Sequence, residues 1–126
     1  MSMRSHLGRV KGLGSAREGT SHWWSMRVSS VALVPLTLWF VFSVASMAGA
    51  SHAEFVAWVQ NPVVAGLLIL FILVGLKHSR EGLQVVFEDY LHADSVKIPV
   101  MMLSSGAHMV AAVVCVLSVL MILFKG

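Results

Sequence analysis

"GLKHSREGLQVVFEDY", residues Gly75 to Tyr90, places seven ionisable groups directly behind an uncharged run of fifteen residues, Pro62 to Leu76. The stretch has no proline, and its pattern continues a helix. An uncharged run of that length rises only about 22 Å as a helix, short of the roughly 20 residues that a bilayer demands. Part of the "KHSREG" segment must therefore lie at bilayer depth. An ionisable residue there is expensive and points to function.

The rest of the chain supports a membrane setting. Its 126 residues are 57% hydrophobic and 12% charged, with a mean hydropathy of +0.82. A soluble domain carries about 25% charged residues. The net charge of +3 does not indicate nucleic acid, because the basic residues follow topology and do not cluster on one face. Cys115 is a single cysteine in an apolar run, best read as a small hydrophobe. "MAGASHA", Met47 to Ala53, only faintly resembles a cleavage site and comes late, so the first apolar block is read as a retained helix.

Three blocks approach spanning length. They predict an all-α membrane protein with spans at about 28–48, 58–80 (continuing as helix to about 90) and 98–124. Residues 1–27 form a cytoplasmic amphiphilic amino-terminal segment, and 28–126 the three-helix anchor. Pro35 should bend the first span, and Pro99 is expected in the first turn of the third. Arg4, Arg9, Lys11, Arg17, Arg27, Lys77, Arg80 and Lys97 flank one side and only Lys125 the other, eight cations against one. By the positive-inside rule the amino terminus and the 77–97 connection face the cytoplasm. Trp23, Trp24, Trp58 and Tyr90 fall near the boundaries, where interfacial aromatics belong.

At 100° per residue, His78, Gly82, Val85 and Asp89 share one helix face, with Tyr90 beside it. His78 and Asp89 stand about 16 Å apart along the axis. A neutral imidazole is an axial ligand for haem iron. A glycine one turn away leaves room for a flat macrocycle. A phenol beside a carboxylate offers a hydrogen-bond donor to a quinone carbonyl. The ordinary alternatives are an interhelical hydrogen bond for His78, a helix-end acid for Asp89 and an interfacial aromatic for Tyr90. Arg80 and Glu81 read as snorkelling, or as paired with each other or a partner chain. Spacing alone leads to a redox or transport membrane subunit and stops there.

The motif as a whole is more specific. "KHSREGLQVVFEDYLH", with His78, Gly82, Gln84, Asp89 and Tyr90 at their offsets, resembles the signature of the small D-type membrane-anchor subunit of succinate dehydrogenase, respiratory complex II. "GTSHWWSMRV", Gly19 to Val28, is similar to that family's segment leading into the first helix, with His22, Trp23 and Arg27. The resemblance implies three helices packing with a companion cytochrome b-type anchor subunit, which supports an iron–sulfur subunit and a flavoprotein subunit. It implies that His78 is one axial ligand of a single b-type haem shared with that companion. Tyr90 would bind ubiquinone with Asp89 in support, and Arg27 would meet a haem propionate or the quinone pocket. His22 is less securely placed, as a cofactor contact or as part of the docking surface for the iron–sulfur subunit. The family pattern does not require His108, which is read as a hydrogen bond to another helix in preference to a second ligand. Ser104 to Ala107, and more weakly Gly66 and Gly75, suggest close helix packing.

The chain carries neither a dinucleotide-binding glycine pattern nor an iron–sulfur cysteine cluster, so it is not expected to oxidise succinate itself. The expected setting is the bacterial inner membrane, preferred to the mitochondrial one because no long presequence precedes the first span. Two rivals stand beside this reading. One is an anchor of a quinol:fumarate reductase; the other is a small haem-free transport or ion-pathway protein.

Overall fold

In the computed structural model, residues 5–12 and 19–125 are described. They form five helices: α1 (His6–Val10), α2 (Gly19–Ser46), α3 (His52–Val59), α4 (Pro62–Tyr90) and α5 (Asp94–Lys125). No strand occurs among the described residues, and α2, α4 and α5 are each long and apolar enough to cross a membrane. The chain is an all-α membrane protein. Arg4 and Arg17, counted above for orientation, lie outside the described residues.

Three boundaries differ from the sequence-based spans. First, α2 begins at Gly19, nine residues before Val28, so the segment read as leading into the membrane is itself helical. It also runs unbroken through Pro35. Second, the Gly49–Asn61 connection holds a helix of its own. Ser51 and Glu54 form a reciprocal capping box at the start of α3. Asn61 accepts from the Val63 N–H at 2.9 Å and starts α4 at Pro62, where a missing N–H is tolerated. The middle span thus starts at Pro62, not near residue 58. Third, α5 begins at Asp94, which puts Pro99 in its second turn instead of its first.

The three long helices make a single layer. α4 packs against α2 on one side and α5 on the other, while α2 and α5 do not touch. Val59, Ala65, Leu68 and Val119 form a small core at the α3 end of this layer, with Trp39 and Trp58 stacked beside it at 6.2 Å. Phe40 stacks on Phe71 across α2 and α4 at 4.7 Å. Most large apolar side chains, among them Val31, Phe42, Met102 and Val113, point outward. A layer one helix thick has two broad apolar faces, which suits lipid and neighbouring helices.

The 29 residues of α4 extend about 43 Å, more than the hydrocarbon thickness of about 30 Å. Counting about 20 residues from Pro62 sets Lys77, His78 and Glu81 inside the hydrocarbon edge. Asp89 and Tyr90 then stand about 12 Å beyond it.

Glu54 lies outside the spans. The backbone N–H and then the hydroxyl of Ser51, both donating to it, hold its carboxyl below the usual glutamate range. A depressed carboxylate stabilises the fold above its unfolded pKa and stops doing so as pH falls through its folded value. Amide-exchange protection of Ser51 should accordingly be lost as pH falls below the usual glutamate range. Glu54→Ala should show the low protection at every pH.

Candidate functional site: a polar seam between α2 and α4

Two serines one turn apart on α2 meet two ionisable residues on α4. The Ser25 hydroxyl donates to Glu81 at 2.8 Å, and Oγ of Ser29 lies 2.8 Å from Nδ1 of His78. Lys77, on the next turn from Glu81, pairs with it at 3.3 Å and also donates to Ser25. Their one-turn spacing on antiparallel helices lets both pairs form at once. The expectation for Glu81 is thereby refined: its ion pair is with Lys77, four residues back, and not with Arg80.

Glu81 is only 8% exposed and its Oε2 has no partner among the described residues. Lys77 is 57% exposed at its side chain. A buried carboxylate that loses a donor is costly, whereas an ammonium left in solvent is not. Lys77→Ala leaves Glu81 buried with only Ser25 donating to it among the described residues, and should lower the thermal dissociation temperature of the solubilised protein, a loss of about 1–3 kcal/mol. Glu81→Ala removes the buried charge together with its tie to Ser25 and leaves Lys77 exposed, so it should shift the temperature less.

Beside this seam, His22, Trp23, Met26, Arg27, Ser30 and Val31 of α2 and His78 and Val85 of α4 line an open groove of about 660 Å³. The Arg27 guanidinium sits 5.1 Å from the Trp23 ring centroid, a cation–π contact one helical turn long. Nε2 of His22 is buried without a hydrogen-bond partner among the described residues. Gly82 borders open space: a Cβ there would meet no protein atom within 4 Å. The structure thus brings His78, Arg27 and His22 to one groove. It does not bring Asp89 or Tyr90 there, since both are exposed at the end of α4 and Tyr90 is 78% accessible.

His108 belongs to the opposite side of α4. Its Nε2 lies 3.1 Å from Ser79 Oγ and its Nδ1 2.8 Å from the Ser104 carbonyl oxygen. This is the expected hydrogen bond to another helix. Ser104 and Ser105 face α4 and share a crevice with Arg80, Gln84 and Phe87. Gly66 and Gly106 instead look into open space, so close packing at these two positions does not occur among the described residues. Ser25 and Ser29 went unnoticed in the sequence. Their only signal is a four-residue spacing of small hydroxyls along α2.

Three membrane helices in one layer, with a polar seam and a groove near one end, define a helical membrane anchor built to work with other chains. A family profile described as succinate dehydrogenase/fumarate reductase transmembrane subunit matches residues 1–118. The chain belongs to that family. It is 40% identical over 88 residues to the succinate dehydrogenase hydrophobic membrane anchor subunit of Paracoccus denitrificans, covering 70% of this chain and 68% of that one. The corresponding subunit of Rickettsia bellii is 28% identical over 95 residues, 75% of each chain. The succinate dehydrogenase membrane anchor subunit of Reclinomonas americana is 29% identical over 85 residues, 65% of this chain and 71% of the other. No solved structure matches the chain significantly. The likeness to a D-type anchor, first met in two short motifs, therefore extends over most of the sequence.

Proposed function

We propose that the chain is the small anchor of a succinate:ubiquinone oxidoreductase, holding a b-type haem jointly with a companion cytochrome b subunit and forming part of the ubiquinone site. The observation that carries this reading is the setting of His78. It sits at bilayer depth with Nδ1 engaged by Ser29, and its Nε2 makes no hydrogen bond among the described residues. An imidazole held through one nitrogen and free at the other is the arrangement of a metal ligand.

The surrounding residues fit a haem. The groove beside His78 is apolar at Val31 and Val85 and cationic at Arg27. A guanidinium at this depth suits a propionate carboxylate, which it can meet in a bidentate fashion. The open space at Gly82, one turn from His78, suits a flat ring against the backbone. When bound, the haem supplies a one-electron redox centre of tunable potential. The protein's part is to orient His78, to neutralise carboxylates through Arg27 and to exclude water with Val31 and Val85.

Asp89 and Tyr90 are assigned to ubiquinone on the strength of the motif and of their place beyond the hydrocarbon edge. A quinone taking two electrons becomes a quinol only with two protons. The Tyr90 hydroxyl would donate to a quinone carbonyl oxygen, and Asp89 would support that group and exchange protons with water. The electrons would come from an iron–sulfur subunit reduced by a flavoprotein subunit, and the lipid bilayer holds the anchor. The amino terminus and the α4–α5 connection would face the cytoplasm of a bacterial inner membrane.

The test is to extract the tagged chain gently from its native membrane, list what co-purifies and record a dithionite-reduced minus oxidised spectrum. A b-type band with a flavoprotein and an iron–sulfur protein is the expected result. Absence of both would overturn the reading in favour of the transport protein. Turnover that runs only from quinol to fumarate would favour the fumarate reductase anchor.

A further inference from the structure

Building on the haem reading above, we infer that Ser29 is a positioning residue for His78: its hydroxyl oxygen accepts a hydrogen bond from Nδ1–H, selecting the imidazole tautomer and ring orientation that offer Nε2 to iron. If Nε2 gives its lone pair to a metal, the ring proton must reside on Nδ1. Ser29 Oγ, at 2.8 Å, is then the acceptor. The hydroxyl's own proton needs a destination, and the Met26 carbonyl oxygen lies 3.0 Å away. That carbonyl also receives the Ser30 hydroxyl at 2.7 Å, so it serves as a shared acceptor for two neighbouring side chains. With its proton so directed, the Ser29 oxygen turns a lone pair toward the ring.

Burial makes this bond hard to replace. Ser29 is only 5% exposed, so water cannot readily take over as acceptor. One turn away, Ser25 is tied to Glu81 and Lys77, which fixes the register of α2 on α4 and with it the distance from Ser29 to the imidazole. A hydrogen bond from Nδ1–H to an oxygen raises the basicity of Nε2 and favours the oxidised iron. Losing it should weaken binding of the oxidised form relative to the reduced form, by about tenfold at the low end of such outer-shell effects. For a one-electron couple, tenfold corresponds to a rise in midpoint potential of about 59 mV.

The experiment is a potentiometric titration of the haem band in the purified complex, together with electron paramagnetic resonance of the oxidised haem. Wild type would be compared with Ser29→Ala, Ser29→Cys and Ser29→Thr, with His78→Ala as the control. Raised potentials and altered resonance in the alanine and cysteine variants, with wild-type values for threonine, are the expected results. Cysteine preserves size with a much weaker acceptor, and it decides the question if the alanine variant does not assemble. Unchanged potential and resonance in the cysteine variant would overturn the proposal, as would threonine shifting as far as alanine. A wild-type haem signal in His78→Ala would refute the haem reading itself, an outcome distinct from failure of the Ser29 role.

Discussion

Alanine at position 78 should abolish the b-type haem signal while leaving the anchor assembled. A b-type haem has no covalent tie to the protein, so its retention depends on axial ligands and the groove around it. Outer-shell changes alone weaken metal binding 10–100-fold. Removing the proposed axial ligand outright should cost at least about 100-fold in haem affinity. The helix itself should tolerate the change. Alanine is the best helix former, Ser29 keeps its bond to Met26, and the Ser25–Glu81–Lys77 seam one turn away is untouched. The ratio of haem to protein and the subunit stoichiometry therefore separate loss of ligand from loss of fold. His108→Ala is the informative partner variant. His108 is engaged at both ring nitrogens on the α5 side of α4, so its removal should leave the haem band in place. Haem retained at position 78 and lost at 108 would reverse the ligand assignment.

The three spans were legible because hydropathy runs that long leave little choice of structure. Their ends were not. A window that looks for apolar residues finds the start of the first span at Val28, yet "GTSHWWSMR" continues the same helix to Gly19 without a hydrophobic signal to mark it. The α3 helix had a readable start in Ser51 and Glu54, a serine followed three residues later by a glutamate. Its residues fell partly in a connection and partly at the start of the expected middle span, because hydropathy does not mark a helix too short to cross. The site divides in the same way. The helical spacing from His78 to Tyr90 could be computed from sequence, and the α4 helix indeed runs through both. The partners of His78 and Glu81 could not. They depend on which turn of α2 lies against which turn of α4, and that register is held by contacts between the helices, among them Ser25 with Glu81 and Phe40 on Phe71. A sequence shows each helix face but not the sliding of one helix along another.

Phenylalanine at position 90 should cut succinate–quinone turnover about 100-fold with little effect on assembly, the second large change expected. The substitution removes one hydroxyl and almost no volume. Tyr90 is highly exposed on this chain and is the last residue of α4, so no packing within the chain depends on that oxygen. Its proposed work is confined to the reacting carbonyl, where charge builds as electrons arrive. A donor aimed at developing charge is worth about 10²–10³-fold in rate, far more than a hydrogen bond to a resting group. Asp89→Asn should act in the same direction by a smaller amount, because it keeps a polar group while removing the proton-accepting charge. Both variants should retain the haem band, since neither residue reaches the groove at His78. Succinate oxidation measured with a soluble artificial acceptor should also stay near wild type, because that assay bypasses the membrane site. The two assays together localise the defect. Quinone turnover at wild-type rates in Tyr90→Phe would remove the phenol from the reaction and leave it as an interfacial anchor. Loss in both assays would mean that Tyr90 holds the partner subunits in place, and the quinone assignment would pass to residues those subunits contribute.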